Sequence, residues 1–176
     1  MNLNDLNELF RHMEWADASV WRAVLASDAA RADTKLREVF YHVHMVQRAF
    51  LRVWQGETRY RPFPTFDDAT SLIEWGHSYY PPLFAQLNSW TEDDLLKALN
   101  VPWASMLTKP LGREPADTTL GQTAQQVALH SLYHRGQVNA RLRELGGEPP
   151  LVDYIAWLWL GRPEADWKPA SNITTV

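Results

Sequence analysis

The sequence predicts an all-α protein: a four-helix bundle with a long connection between helices 3 and 4 and a short C-terminal helix. Three observations predict it. Apolar residues recur at three- and four-residue steps through most of the 176 residues, the period of a helix face. No alternation of strand type runs beyond a few residues. One stretch rich in Pro and Gly, after the third helical segment, is too long for a tight connection.

The elements follow in order. In the first, Leu3, Leu6, Phe10, Met13, Val20 and Val24 carry the apolar stripe. Ser27 to Asp33 reads as a turn rich in Asp and Ala. The second stripe is more regular, through Leu36, Val39, Val43, Val46, Phe50 and Val53, and Gly56 follows as a stop signal. Arg61 to Pro64 is a loop. A third helix is expected from about Asp67 to Ser89, kinked or broken at Pro81-Pro82. Between Trp90 and Asp117 the pattern weakens, and Pro102, Pro110, Gly112 and Pro115 mark a long link. Thr118 or Thr119 then caps a fourth helix reaching Leu145, ended by Gly146-Gly147 and Pro149-Pro150. A short apolar helix spans Val152 to Leu160, and the tail from Arg162 reads as loosely ordered. Four such stripes bury best against one another. The long link permits a crossover.

Composition narrows the function. The length suits a single domain, residues 1–176. Nine Trp point to a large apolar interior or a broad pocket. A net charge of −4, with no run of five like charges, argues against nucleic acid as a partner. Without cysteine there is no disulfide framework, Cys-zinc site or Cys nucleophile. No signal peptide or membrane span is evident, so the expectation is a cytoplasmic protein without a membrane partner. No Gly-x-Ser-x-Gly elbow is present.

The histidines carry the chemistry. His130 and His134 lie four apart on a predicted helix, hence about 40° apart on one face with Cβ atoms roughly 6 Å apart. Both fall on the stripe Leu120, Thr123, Val127, His130, His134, Val138, Arg141. Buried imidazoles need partners, and a shared cation serves two of them. A third ligand is expected from a facing helix. His42 and His44, two apart, point about 200° from each other. His42 has Val39 and Val46 as neighbours and is placed inside; His44, beside Gln47 and Arg48, is placed outside. His12 reads as structural or exposed, and His77 as a surface or rim residue. Ser131 follows His130 where zinc proteases carry a catalytic Glu, so the motif holds no general base. Three neutral histidines, His42, His130 and His134, suit a divalent metal, Zn²⁺ or Ni²⁺ foremost, with an open position for water or substrate.

The block His130-x-x-x-His134-Arg135-Gly136-Gln137, followed by Leu142-Arg143-x-Leu145-Gly146, resembles the fourth-helix signature of the DinB-like (DNA-damage-inducible) superfamily. His42 with Phe50 and Gly56 is similar to its second-helix pattern, Trp15-Ala16-Asp17 to its first-helix Trp-Ala-Asn, and Pro150-x-x-Asp153-Tyr154-x-x-Trp157 to its ending. The resemblance covers about residues 3 to 160. It implies a four-helix bundle, a three-histidine metal site and a homodimer. It also implies an activity: some relatives are metal-dependent transferases using a low-molecular-weight thiol, and others have been proposed as hydrolases. Two departures stand out. Gln47 replaces an acidic residue and Asp17 replaces Asn.

The leading expectation is therefore a metal-dependent transferase that activates a low-molecular-weight thiol and takes a small-molecule substrate. Metal-dependent hydrolysis is the alternative and needs a carboxylate base; Asp153 is a candidate but reads better as a helix cap. A non-enzymatic metal-binding stress-response module is the third reading. Arg135 and Gln137 read as inter-helix contacts sooner than as supports for the ligands.

Overall fold

A computed structural model describes residues 2–57 and 61–168. Its helices are α1 (Leu3–Leu25), α2 (Asp28–Ala32), α3 (Thr34–Trp54), α4 (Ala69–His77), α5 (Tyr80–Asn88), α6 (Thr108–Leu111), α7 (Leu120–Glu144) and α8 (Tyr154–Trp159). The long arms α1, α3, α4–α5 and α7 make the expected all-α bundle.

Local chemistry sets the boundaries. The expected turn after α1 holds the short helix α2, because the Ser27 side chain caps it and Asp33 caps α3 directly afterwards. Both side chains accept from backbone N–H groups that a helix start leaves unpaired. Gly56 and Gly146 sit at φ +75° and +78° and close α3 and α7. At α7 the N–H of Gly147 donates to Leu142 O and that of Gly146 to Arg143 O, the paired C-terminal arrangement that favours glycine. The third arm breaks at Ser78–Tyr79, earlier than Pro81-Pro82. The prolines fall in the first turn of α5, where their missing N–H groups cost nothing.

α7 packs along both α1 and α3, while α4 touches α3 and α1, and α5 touches α1. The third and fourth arms thus lie on opposite sides of the α1–α3 pair, and the link from Ser89 to Asp117 crosses over. Two short strands, β1 (Ala98–Leu99) and β2 (Thr118–Thr119), pair antiparallel and tie that link to the head of α7. Thr119 caps α7 with a capping box completed by Gln122.

The core has two apolar halves. One gathers Leu6, Phe10, Met13, Phe50, Trp54 and Val127; the other gathers Val20, Trp21, Leu36, Phe40, Val138 and Trp157. Between them lies a buried polar layer of Asp17, His44, Gln47, Ser131 and Arg135. Residues 162–168, expected to be loosely ordered, lie along α1. Arg162 meets Glu8 at 3.2 Å, Asp166 meets Arg22 at 3.1 Å, and Pro163 O accepts from Trp157 Nε1 at 3.0 Å. The rest of the expected tail, 169–176, falls outside the described residues. Among the described residues, no helix is long and apolar enough to cross a membrane.

Candidate metal centre

α3 and α7 lie side by side, and their facing flanks bring three histidines together. His42, His130 and His134 each offer one ring nitrogen, all within 4.8 Å of one another. His42 Nε2 lies 3.1 Å from His130 Nε2. Two nitrogens bound to one cation at about 2.0–2.1 Å stand about 3.0 Å apart at a right angle and about 3.4 Å apart in a tetrahedron. The separation of His42 and His130 falls in that interval, so this pair is spaced to share a divalent ion, with a nitrogen of His134 within 4.8 Å of both. His134 Nδ1 donates to Gln137 Oε1 at 3.0 Å, which leaves Nε2 as its free nitrogen. All three rings are half-buried, so one side of the cluster remains open. Tyr133, largely exposed, sets its ring edge-on to His134 with centroids 5.0 Å apart.

The electrostatics favour neutral ligands. Burial, reinforced by the neighbouring His134 and His42 charges, pushes His130 down to about 4. Burial, and then the His134 charge, lowers His42 as well. Neutral imidazole is the form that binds metal. His130 Nδ1 is buried without a hydrogen-bond partner.

The spacing that singled out His130 and His134 identifies real neighbours, and the expected stripe on α7 is buried at Thr123, Val127 and Val138. The full buried face is wider, through Thr123, Ala124, Val127, Ala128, Ser131, Arg135, Val138 and Leu142. The two histidines border that face and open toward α3. His42 is the residue that meets them. His44, expected outside, is fully buried. It accepts from Trp21 Nε1 at 2.9 Å and donates through Nδ1 to Gln47 Oε1 at 2.8 Å. One hydrogen bond from α1 and one within α3 satisfy a polar side chain that the pattern on its own helix would place in water. Gly76 permits this burial, since a Cβ there would sit 2.5 Å from His44 Nε2.

The other histidines stand apart from the cluster. His12 is structural and donates to Val152 O at 2.9 Å among Trp15, Tyr154 and Trp157. His77 is exposed and stacks on Trp167. Asp153 occupies the cap position of α8 without a side-chain cap bond and lines a cavity of about 470 Å³ formed by α1, α7 and the segment before α8. It is absent from the histidine cluster.

Gln137, expected as an inter-helix contact, instead bonds His134 within α7 at i,i+3 spacing. Arg135, expected likewise, is an inter-helix contact: it forms a buried ion pair with Asp17 of α1 at 2.5 Å. The two departures from the family pattern prove to be partners, since Gln47 Nε2 donates to Asp17 Oδ2 at 2.9 Å.

No protein of curated function matches this sequence as a relative. The DinB family model matches residues 1–166, spanning every arm of the bundle and all three clustered histidines, and the chain accordingly belongs to the DinB family.

Proposed function

We propose that this protein binds one divalent metal ion through His42, His130 and His134 and works as a transferase that takes a low-molecular-weight thiol as co-substrate. One observation carries the reading: three imidazole nitrogens converge within 4.8 Å on a half-exposed flank. Zn²⁺ and Ni²⁺ suit such a nitrogen set. A divalent ion bound there supplies Lewis acidity, which lowers the pKa of a thiol or water in the open position. The chain's part is to hold three imidazole rings in place, with Gln137 orienting that of His134. Tyr133 at the rim offers an apolar ring to an acceptor.

Hydrolysis has less support. It calls for a carboxylate base beside the ion, and among the described residues no Asp or Glu joins the cluster. A homodimer accords with the exposed Leu129, Leu132 and Tyr133 on the outer face of α7, and its mass in solution tests that part.

The activity test uses metal-free protein reloaded with Zn²⁺ or Ni²⁺ and offered a panel of cellular thiols with an epoxide or a chlorinated aromatic. Thiol consumption that requires both the metal and His42 supports the transferase. Metal-dependent ester or amide cleavage without thiol consumption would replace it with the hydrolase, and metal binding with no turnover would leave the binding module.

A further inference from the structure

Beside the histidine cluster, α1, α3, α5 and α7 share one chain of buried hydrogen bonds that the metal chemistry does not use. Trp21 Nε1 donates to His44 Nε2, and His44 Nδ1 donates to Gln47 Oε1. Gln47 Nε2 donates twice, to Asp17 Oδ2 at 2.9 Å and to Ser131 Oγ at 3.1 Å. Asp17 Oδ2 also accepts from Tyr80 OH, and Asp17 Oδ1 accepts from Arg135 Nη1, both at 2.5 Å. Every member is buried.

The chain has only one self-consistent direction. An indole N–H and a guanidinium can only donate. Trp21 therefore forces His44 to accept at Nε2 and carry its proton on Nδ1. That proton forces Gln47 to turn its oxygen toward His44 and its NH₂ toward position 17. Position 17 must then accept from Gln47, Tyr80 and Arg135 together, which a carboxylate does. Flipping the Gln47 amide, or moving the His44 proton, sets donor against donor in a buried layer where an unmade bond is costly.

This layer is contiguous with the metal centre. Ser131 follows His130, Arg135 follows His134, and Gln47 shares α3 with His42. Gln47 bonds α3 to both α1 and α7 and so holds the spacing at which His42 Nε2 stands 3.1 Å from His130 Nε2. We propose that Gln47 is a positioning residue of the metal centre, and that Asp17 and Gln47 form an ordered acceptor–donor pair whose polarity is set by Trp21 and Arg135. The inference rests on the metal-binding reading above.

Exchanging the pair supplies the test. In the double variant Asp17→Asn/Gln47→Glu, the glutamate accepts from His44, Ser131 and the new amide, whose second proton meets the Tyr80 oxygen and turns the Tyr80 proton away from position 17, the one bond the exchange does not restore. The asparagine oxygen still accepts from Arg135, and the layer keeps its net charge. Metal-free wild type, Gln47→Met, Asp17→Asn and the double variant are titrated with Co²⁺, with visible absorption and metal-free melting temperature recorded. Gln47→Met is expected to weaken Co²⁺ binding about tenfold and to shift its absorption bands below the melting temperature. The double variant is expected to recover wild-type bands and affinity; where Asp17→Asn does not fold, recovery of folded protein in the double variant reads the same compensation. Gln47→Met with a lower melting temperature but wild-type affinity and bands would mean a purely structural role and overturns the inference. A double variant no better than Asp17→Asn overturns the assigned polarity. If wild type binds no Co²⁺, the metal reading fails, and this inference with it; wild-type binding beside either earlier failure overturns this inference alone.

Discussion

His42 and His44 are two residues apart on one helix, yet their substitutions should separate cleanly. His42→Ala removes a half-exposed ring with no buried partner besides the cluster. It is expected to abolish tight metal binding while leaving the metal-free melting temperature within a few degrees of wild type. His44→Ala leaves Trp21 Nε1 and Gln47 Oε1 buried and unpaired, a loss of about 3 kcal/mol, which for this length lowers the melting temperature by about 6–12 °C. Thermal melts with and without Zn²⁺ distinguish the two, and an undiminished melt for His44→Ala would remove the buried layer from the account. Gly76→Ala sharpens the same point. Alanine gains about 1 kcal/mol of helix propensity over glycine. The new Cβ would lie 2.5 Å from a ring pinned on two sides, however, and overpacking of that kind costs about 1–3 kcal/mol. Net destabilisation is expected, and it should vanish in the His44→Ala background. At His134, Gln137→Leu removes the acceptor for Nδ1 and is expected to weaken Zn²⁺ binding about tenfold with an unchanged metal-free melt.

Each long element depends on its ends. Thr119 accepts from Gln122 N and begins the helix that carries two of the clustered histidines. Thr119→Ala should cost about 1 kcal/mol, read as a fall in denaturant midpoint without a change in slope. Asp33 caps α3 and also accepts from Arg141 of α7, with Arg141 Nη2 at 2.7 Å from Asp33 Oδ2. The bond from Arg141 is the largest cause holding the Asp33 carboxyl below its ordinary value of 3.8. A carboxylate depressed in the folded state adds stability that is complete above its unfolded pKa and is lost as pH falls through the folded one. Asp33→Asn keeps a capping oxygen and loses the charge. Its deficit against wild type, measured by melting temperature, should be constant from pH 7 to about pH 5 and shrink below about pH 4. A deficit that grows on acidification would contradict the pairing.

At the scale of the molecule, the cluster joins α3 to α7, so an ion there binds the folded bundle and not the open chain. Zn²⁺ at about a hundred times its Kd should add about 2.7 kcal/mol, or about 5–11 °C in melting temperature. A chelator should remove the shift, and His42→Ala should abolish it. A bundle whose melt ignores Zn²⁺, Ni²⁺ and Co²⁺ alike would rule out a metal centre built from these three residues.

Features that depend on neighbours a few residues away could be read along the chain. The helical stripes, the glycine stops at Gly56 and Gly146, the cap at Thr119 and the i,i+4 pair of His130 and His134 are of that kind, because helix geometry alone relates their parts. The same geometry named His42 as the candidate third ligand, but by placing His42 inside and His44 outside, whereas the bundle buries His44 and leaves His42 half-exposed. The burial of His44 and Gln47 had no such local mark. Their polarity argued for water, and what reversed it was a set of donors and acceptors on α1 and α7, Trp21, Asp17 and Ser131, far away along the chain. Burial of a polar group follows from partners that only packing brings near. For the same reason the two sequence departures, Asp17 and Gln47, looked independent in the chain and are one hydrogen bond in the bundle.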